Sequence, residues 1–527
     1  MSTILRPLIL VSIWTLLGCQ TQNDKPPIRP NILFAIADDA SFPHMGIYGT
    51  SWIKTPGFDR VAQEGILFMN AYTPNAKCAP SRACILTGRN SWQLEEACNH
   101  WPIFPEKFKT FTEALPAAGY SVGYTAKGWA PGIAKRNGQP RDLIGQAYNE
   151  HKTTPPAKFI SNNDYAENFR SFLDQKEADQ PFFFWYGSTE PHRAYEFGAG
   201  INYGNKKITD IDQVPPFWPD SDSIRTDMLD YAFEIEYFDS HLEKMLQILA
   251  DRDLLDNTLV VVTADNGMPF PRIKGQMYEM NNHLPLAMMW PTGIVNPGRK
   301  ENSFVNFIDF APTFLNLAGI TVEASGMQPV TGQSLTPILY DLRNYADNEY
   351  RNHTLIGKER HDVGRPHDVG YPVRGIIRNG YLYVENFKPD RWPAGNPETG
   401  YLNTDGSPTK TYILDHQKDT GMEDFWIRSF GKRPPQELYN LDQDPYCLNN
   451  LAGDKSLEET QMKMKKQLYD ELKSQGDPRI LGDGDIFDHY PDASPAAGFY
   501  ERFMRGEDIQ AGWVNKTDFE PVEKAIN

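Results

Sequence analysis

Cys78 and Arg82 stand one helical turn apart in Cys78-Ala79-Pro80-Ser81-Arg82, and the segment that follows ends at Thr87-Gly88. Proline suits a first helical turn, and Ser81 or Cys78 can cap it. The spacing predicts a short helix over Pro80 to Thr87. Its start offers free N–H groups and a positive dipole to an anion, with a cysteine and a guanidinium beside it. Read alone, the pentapeptide also suits a buried cysteine in a Pro-Ser turn. Two pairs elsewhere, Asp38-Asp39 and Asp265-Asn266, supply hard oxygen donors. Calcium accepts such mixed carboxylate and amide sets; magnesium or manganese stays open, and no C-x-x-C pair or other soft set points to zinc. Either pair alone would equally serve a helix cap or a turn. Lys127 and Lys274 are cations that would stabilise charge growing on the oxygens of an anionic ester. His192, in Ser188-Thr189-Glu190-Pro191-His192-Arg193, has the chemistry to give a leaving oxygen its proton near neutral pH. Solvated lysines and a structural histidine are the plainer readings of those three.

Short apolar runs lead into most of these residues. Ile32 to Ala37 precedes Asp38, Tyr120 to Ala126 precedes Lys127, Phe182 to Tyr186 leads by a short loop to His192, and Leu259 to Thr263 precedes Asp265. Such runs read as buried parallel strands, and open α/β sheets place ligands beyond the carboxyl ends of their strands. Helices are expected at Thr110 to Ala118, closed by Gly119, and at Thr226 to Asp251. Alternation of strand and helix gives a doubly wound α/β domain. Further on, Val373 to Val384 with Asn379-Gly380 reads as a hairpin, Glu437 to Leu441 as an edge strand and Leu457 to Gln475 as a charged helix. The expected organisation is a leader over 1–18, a tether over 19–30, a catalytic α/β domain over 31–370, an α+β subdomain over 371–490 and a surface tail over 491–527.

At 527 residues and net charge −17, the chain has room for a large domain and a small one, and its acidic surface argues against nucleic acid or adsorption to anionic membranes. Any anion site must therefore be a local basic pocket. Arg6 precedes the apolar run Leu8 to Leu17, too short to span a bilayer, and Leu16-Leu17-Gly18-Cys19 resembles a bacterial lipobox. Lipidation of Cys19, with the protein exported and held on the outer membrane, is the expectation; plain secretion into the periplasm is the alternative. Of the five cysteines, Cys84, Cys98 and Cys447 remain once Cys19 and Cys78 are set aside, which leaves room for one disulfide, with Cys84–Cys98 as a guess.

The motifs together resemble the formylglycine-dependent sulfatases. The resemblance runs from Pro30-Asn31-Ile32 through Asp38-Asp39 to Glu437-Leu438-Tyr439-Asn440-Leu441, Asp444-Pro445 and Asn450-Leu451-Ala452. It implies an alkaline-phosphatase-like fold with a large sheet flanked by helices, and hydrolysis of sulfate esters or sulfamates. It implies oxidation of Cys78 to formylglycine by a maturation enzyme; a hydroxyl of the aldehyde hydrate attacks sulfur, and the aldehyde reforms as sulfate leaves. It places a calcium ion on Asp38, Asp39, Cys78, Asp265 and Asn266, and sulfate handling on Arg82, Lys127, His192 and Lys274. Thr263-Ala264-Asp265-Asn266-Gly267-Met268-Pro269-Phe270-Pro271 and Glu190-Pro191-His192-Arg193 resemble N-sulfoglucosamine sulfohydrolase. The chain departs from the family at Trp129, where many sulfatases carry a histidine, and at Lys274, where the sulfohydrolase carries an arginine.

The substrate expected is a sulfated polysaccharide or its oligosaccharides, an algal polymer such as ulvan or a glycosaminoglycan. N-sulfoglucosamine is the alternative; a phosphodiesterase of the same fold and a non-catalytic glycan-binding lipoprotein are the rivals. Candidate sugar readers are Glu190, Arg193 and the mixed-charge cluster Glu359, Arg360, His361, Asp362, Arg365, His367 and Asp368 with Arg374, since carboxylates and guanidiniums suit hydroxyls and neighbouring sulfates. The cluster reads equally as a solvated loop. Trp392 is a candidate stacking surface or a packed loop residue.

Overall fold

This computed structural model describes residues 29–342 and 349–521. The leader, Cys19 and most of the tether lie outside the described residues. β-branched and aromatic runs build an eight-stranded sheet from β1 (Asn31–Ala37), β2 (Ile66–Phe68), β3 (Ser121–Ala126), β4 (Gln146–Ala147), β5 (Phe182–Gly187), β6 (Thr258–Ala264), β7 (Leu286–Met289) and β8 (Arg299–Glu301). Their order is β8-β2-β7-β6-β1-β5-β3-β4, and every pairing is parallel except the two made by β7. The central strands are buried on both faces, as parallel strands are. Along β1, Leu33, Ala35 and Ala37 enter one apolar layer while Ile32, Phe34 and Ile36 enter the other. One layer packs under a long helix, Asp222–Asp251, whose start is capped by the Ser221 side chain; the other packs under Cys78–Thr87 and Phe310–Leu317.

The Asn379-Gly380 hairpin forms as expected, with both residues at positive φ. It belongs to a four-stranded antiparallel sheet, β9 (His353–Lys358), β10 (Val373–Arg378), β11 (Tyr381–Asn386) and β12 (Gln436–Asn440), covered by the helix Glu458–Ser474. β9 pairs with β10, so this sheet takes its first strand from ahead of the boundary expected at 371. Residues 494–521 do not only drape the surface. Ala511, Trp513, Val514 and Phe519 pack with Val363, Leu402 and Phe499 in an apolar cluster of their own.

Candidate active site

The carboxyl ends of β1, β3, β5 and β6 meet at one point. Asp39 (φ +76°) and Ala126 (φ +59°) turn the chain sharply as it leaves β1 and β3. Gly187 ends β5 because a Cβ there would fall 1.8 Å from the Lys127 carbonyl oxygen. The strand ends are stitched together: the Asp39 N–H donates to Asp265 Oδ1 at 3.1 Å, and the Asp38 N–H to the Glu190 carbonyl at 3.0 Å.

The helix begins at Cys78 rather than Pro80, with extended Lys77 before it, and neither Cys78 nor Ser81 caps it. Ser81 instead bonds Thr73 at 2.8 Å, and the helix mouth is left without a side-chain cap. Cys78 is buried with its thiol 3.4 Å from Asp38 Oδ1 and 3.9 Å from Asp39 Oδ1. Burial first, and then the Asp38 charge, push the thiol well above its ordinary pKa, so as a plain cysteine it is a protonated, poor nucleophile. Arg82 is fully buried. Its Nε donates to Asp265 Oδ2 at 2.8 Å and its Nη1 to the carbonyls of Lys127 and Gly128, both at 2.8 Å. Its Nη2 has no hydrogen-bond partner and lies 3.8 Å from Asp38 Oδ1.

Lys127 Nζ donates to Asp38 Oδ2 at 2.5 Å, and Lys274 Nζ bridges Asp39 Oδ2 at 2.6 Å and Asp405 Oδ2 at 2.8 Å. Burial opposes both ammonium charges, but the facing carboxylates outweigh it and hold the lysines protonated. His192 Nδ1 must carry its proton to donate to the Arg193 carbonyl at 2.6 Å. That leaves Nε2, 3.9 Å from Asp39 Oδ2, at the open side of the site.

The donor set fits a hard cation. Ligand atoms of Asp38, Asp39, Cys78 and Asp265 all lie within 4.8 Å of one another, a span that oxygens around one calcium ion can occupy. Asn266 donates through Nδ2 to Asp39 Oδ1 at 2.6 Å, while its Oδ1 is buried with no partner. A buried amide oxygen without a donor is costly, and a cation would satisfy it.

Above Cys78 lies a pocket of about 300 Å³ lined by Lys77, Cys78, His100, Trp101, Lys127, Ala130, Pro131, His192, Lys274, Asp362, Asp405 and Trp513. Of the expected cluster only Asp362 reaches it. Asp362 holds Lys77 at 2.7 Å and His100 Nδ1 at 2.8 Å; burial would raise its carboxyl, but those two neighbours hold it well below the usual range.

The proposed sugar readers are committed elsewhere. Arg374 is fully buried against Asp477 (2.7 Å) and Glu359 (2.8 Å). Arg360 donates to the Tyr490 and Pro491 carbonyls, Arg365 to those of Trp392 and Pro393, and His361 Nε2 bonds Asn75 Oδ1 at 2.7 Å. Glu190 takes hydrogen bonds from Tyr165 and Ser188, and Arg193 pairs in two bonds with Asp227, both at 2.8 Å. His367 is exposed, Asp368 accepts from the Gly498 N–H at 2.6 Å, and Trp392 sits beside Trp426 and under Lys432. Cys84 and Cys98 do not join: both are free thiols, packed into separate apolar clusters, and Cys447 is free as well. Trp129 reaches behind the helix, donating to the Ala79 carbonyl at 3.1 Å.

Sequence reasoning missed Lys77, His100, Trp101, Asp405 and Trp513. Lys77 adjoins the motif and was within reach. Asp405, in Asn403-Thr404-Asp405-Gly406, reads only as a turn, and Trp513 only as tail.

The sequence model of the sulfatase family matches residues 30–320, more than half of the chain, and that of the N-sulphoglucosamine sulphohydrolase C-terminal region matches 273–377. An ulvan-active sulfatase of Formosa agariphila is 27% identical over 85% of this chain and 81% of its own length. Human N-sulphoglucosamine sulphohydrolase is 29% identical over 81% of this chain and 86% of its own. A solved protein in complex with its substrate D-glucosamine-2-N,6-O-disulfate superposes with a TM-score of 0.60 at 21% identity, covering 85% of this chain and 98% of that one. The fold is the alkaline-phosphatase-like architecture that the sequence resemblance implied.

Proposed function

The chain belongs to the sulfatase family, as a hydrolase of sulfuric esters, and on that premise we propose that it releases sulfate from a sulfated carbohydrate through a formylglycine made from Cys78. The observation that carries the reading is the convergence on Cys78 of the strand-end oxygens, Arg82 Nη2, the half-buried Lys127, the buried Lys274 and His192 Nε2. The Cys78 pocket suits a residue whose reactivity comes from maturation, because the thiol itself is suppressed by burial and by Asp38.

Calcium would be held by Asp38, Asp39, Asp265, Asn266 and the matured residue 78; when bound it neutralises the carboxylates and polarises a sulfate oxygen. Lys127 and Lys274, beside Asp38 and Asp39 at the same point, would stabilise the charge that grows on sulfate oxygens as the ester bond breaks. Arg82, locked by Asp265 and two carbonyls, keeps Nη2 aimed at the same place without reorganisation. His192, fixed by its Nδ1–H bond, would deliver a proton from Nε2 to the leaving oxygen or nitrogen once the ring has taken up a second proton there as the imidazolium.

The test is sulfate release, followed by ion chromatography, from protein co-produced with a formylglycine-generating enzyme. Substrates are N-sulfated and O-sulfated glucosamine saccharides and oligosaccharides of ulvan and carrageenan. Release by the parent and none by Cys78→Ala is expected; release by Cys78→Ala contradicts the reading. The N-sulfoglucosamine alternative draws support from the match at 273–377 and from the human relative, and release confined to N-sulfated glucosamine would select it. A phosphodiesterase with several histidine ligands fits less well, since among the described residues each candidate metal group contains at most one histidine, His192.

Among the described residues no helix is long and apolar enough to cross a membrane. We further propose export and lipid anchoring at Cys19, to the bacterial outer membrane. The support is the lipobox-like Leu16-Leu17-Gly18-Cys19, and loss of palmitate labelling in Cys19→Ala is the expected result.

A further inference from the structure

We propose that His100 and Trp513 form a sugar-reading wall of the catalytic pocket, the imidazole accepting a hydrogen bond from a ring hydroxyl and the indole covering the apolar face of one sulfated pyranose. This rests on the carbohydrate-sulfatase reading and deepens it by naming the residues that choose the sugar.

His100 is 7% exposed, and its Nε2 faces no protein partner. Its Nδ1 donates to Asp362 at 2.8 Å, and Asp362 is in turn held by Lys77. Burial pushes the His100 ring down to about 4, so near neutral pH the ring carries one proton, committed to Asp362. Nε2 is then a buried lone-pair acceptor on a residue that lines the pocket. An unmet buried acceptor of this kind is costly unless a ligand donor meets it, and sugars are rich in hydroxyl donors.

Trp513 reaches the same pocket from the far end of the chain, and its placement is built rather than casual. Its Nε1 donates to the Leu402 carbonyl at 2.8 Å, and its own carbonyl accepts from Gly406 N–H at 2.7 Å. A Cβ at Gly406 would lie 2.9 Å from the Asn515 nitrogen, so the two segments touch backbone to backbone. Asp518 is buried against Lys410 Nζ at 3.3 Å, and Glu520 accepts from the Tyr401 hydroxyl at 2.5 Å. The segment thus straps down the loop that carries Asp405, the carboxylate that holds Lys274. With Nε1 used in the strap, what remains of the Trp513 side chain for the pocket it lines is apolar, and Trp101 lines it as well. The volume, about 300 Å³, is at the small end of ligand pockets and suits one sugar unit with its sulfate.

The test is calorimetric binding to full-length, calcium-loaded Cys78→Ala protein, which cannot turn over. Ligands are glucosamine 6-sulfate, N-sulfoglucosamine, short ulvan and carrageenan oligosaccharides, and inorganic sulfate as reference. We expect the best sugar to bind more tightly than inorganic sulfate. Adding Trp513→Ala or His100→Ala should each weaken that sugar about ten-fold, with Trp513→Phe recovering to within about three-fold and inorganic sulfate moving less than about two-fold. Sugar affinities unchanged in both alanine variants, or equal losses for sugar and inorganic sulfate, overturn the proposal. Should Trp513→Ala not fold, proton NMR of the sugar on the Trp513-intact protein decides: ring C–H resonances shifted upfield support stacking, and unshifted resonances overturn it. A protein that binds inorganic sulfate but none of the sugars contradicts the carbohydrate reading itself, before any variant is compared.

Discussion

The floor and the wall of the pocket are built on different principles. The floor is a set of buried charges paired among themselves at the ends of four neighbouring strands: Asp38 with Lys127, Asp39 with Lys274, Asp265 with Arg82. The wall is assembled from loops far apart in sequence, which bring together Lys77, His100, Trp101, Asp362, Asp405 and Trp513. The floor has partners for nearly every charge, the kind of fixed arrangement that electrostatic stabilisation of a transition state requires. The wall keeps an acceptor and an indole face unused, as selection of a substrate requires. Chemistry is fixed by the sheet, and specificity is left to loops that vary at low cost to the fold.

The sharpest break of that contrast is a floor residue. Asp265→Asn removes one metal oxygen charge and the partner of Arg82 Nε together, so sulfate release should fall by about 10³-fold or more, and calcium should no longer raise the melting temperature. Retained activity with calcium-dependent melting would show that the floor is not a cation site. Next comes a residue that belongs to neither region. Arg374→Ala leaves Glu359 and Asp477 buried without their guanidinium, which should cost about 3–5 kcal/mol of stability by chemical denaturation. The folded fraction should keep its kcat/KM, and a selective change for one sugar would return Arg374 to the substrate readers.

A smaller effect separates the wall by pH. The folded pKa of His100, about 4, is below its unfolded value of 6.5, so the unfolded chain takes the proton first as pH falls. The resulting stability is full above about pH 6.5 and lost toward pH 4, by at most about 3 kcal/mol. His44 and His241, also pushed to about 4 by burial, act in the same direction, while Asp230 and Asp239, raised to about 7, oppose them. His100→Gln should therefore flatten the acid limb of the stability profile relative to the parent; an unchanged slope would mean that the ring is not held neutral. The smallest effect is expected at Asp405→Asn, where Lys274 keeps Asp39 but loses its second anchor: KM should rise more than kcat falls, with kcat/KM down about ten-fold.

The floor was legible in the sequence because its residues sit directly after apolar runs, where strand geometry itself dictates that side chains converge. Asp38, Lys127 and Asp265 needed no long-range information beyond the parallel order of the strands, and Cys78 stood out by its own motif with Pro80 and Arg82. The wall was not legible for the converse reason. Asp405 and Trp513 meet only because Gly406 lets residues 513–515 lie against it, a contact across more than a hundred residues with no periodic signal. The cluster from Glu359 to Arg374 misled in an instructive way. Its mixed charges are self-satisfied: Arg374, Glu359 and Arg479 pair in the interior, and guanidiniums such as Arg360 and Arg365 spend their donors on carbonyls that loops leave unpaired. The hairpin at Asn379-Gly380 was recoverable because its turn chemistry is local, whereas the start of the four-stranded sheet at His353 depends on a pairing partner, Arg378, twenty-five residues on.

The most direct test of the account is to prepare the protein at several levels of maturation and plot sulfate release against the fraction of Cys78 converted to formylglycine, measured by mass spectrometry of its tryptic peptide. The account predicts a straight line through the origin, with Cys78→Ala at zero. Activity that persists at zero conversion, or that does not change with conversion, would contradict it.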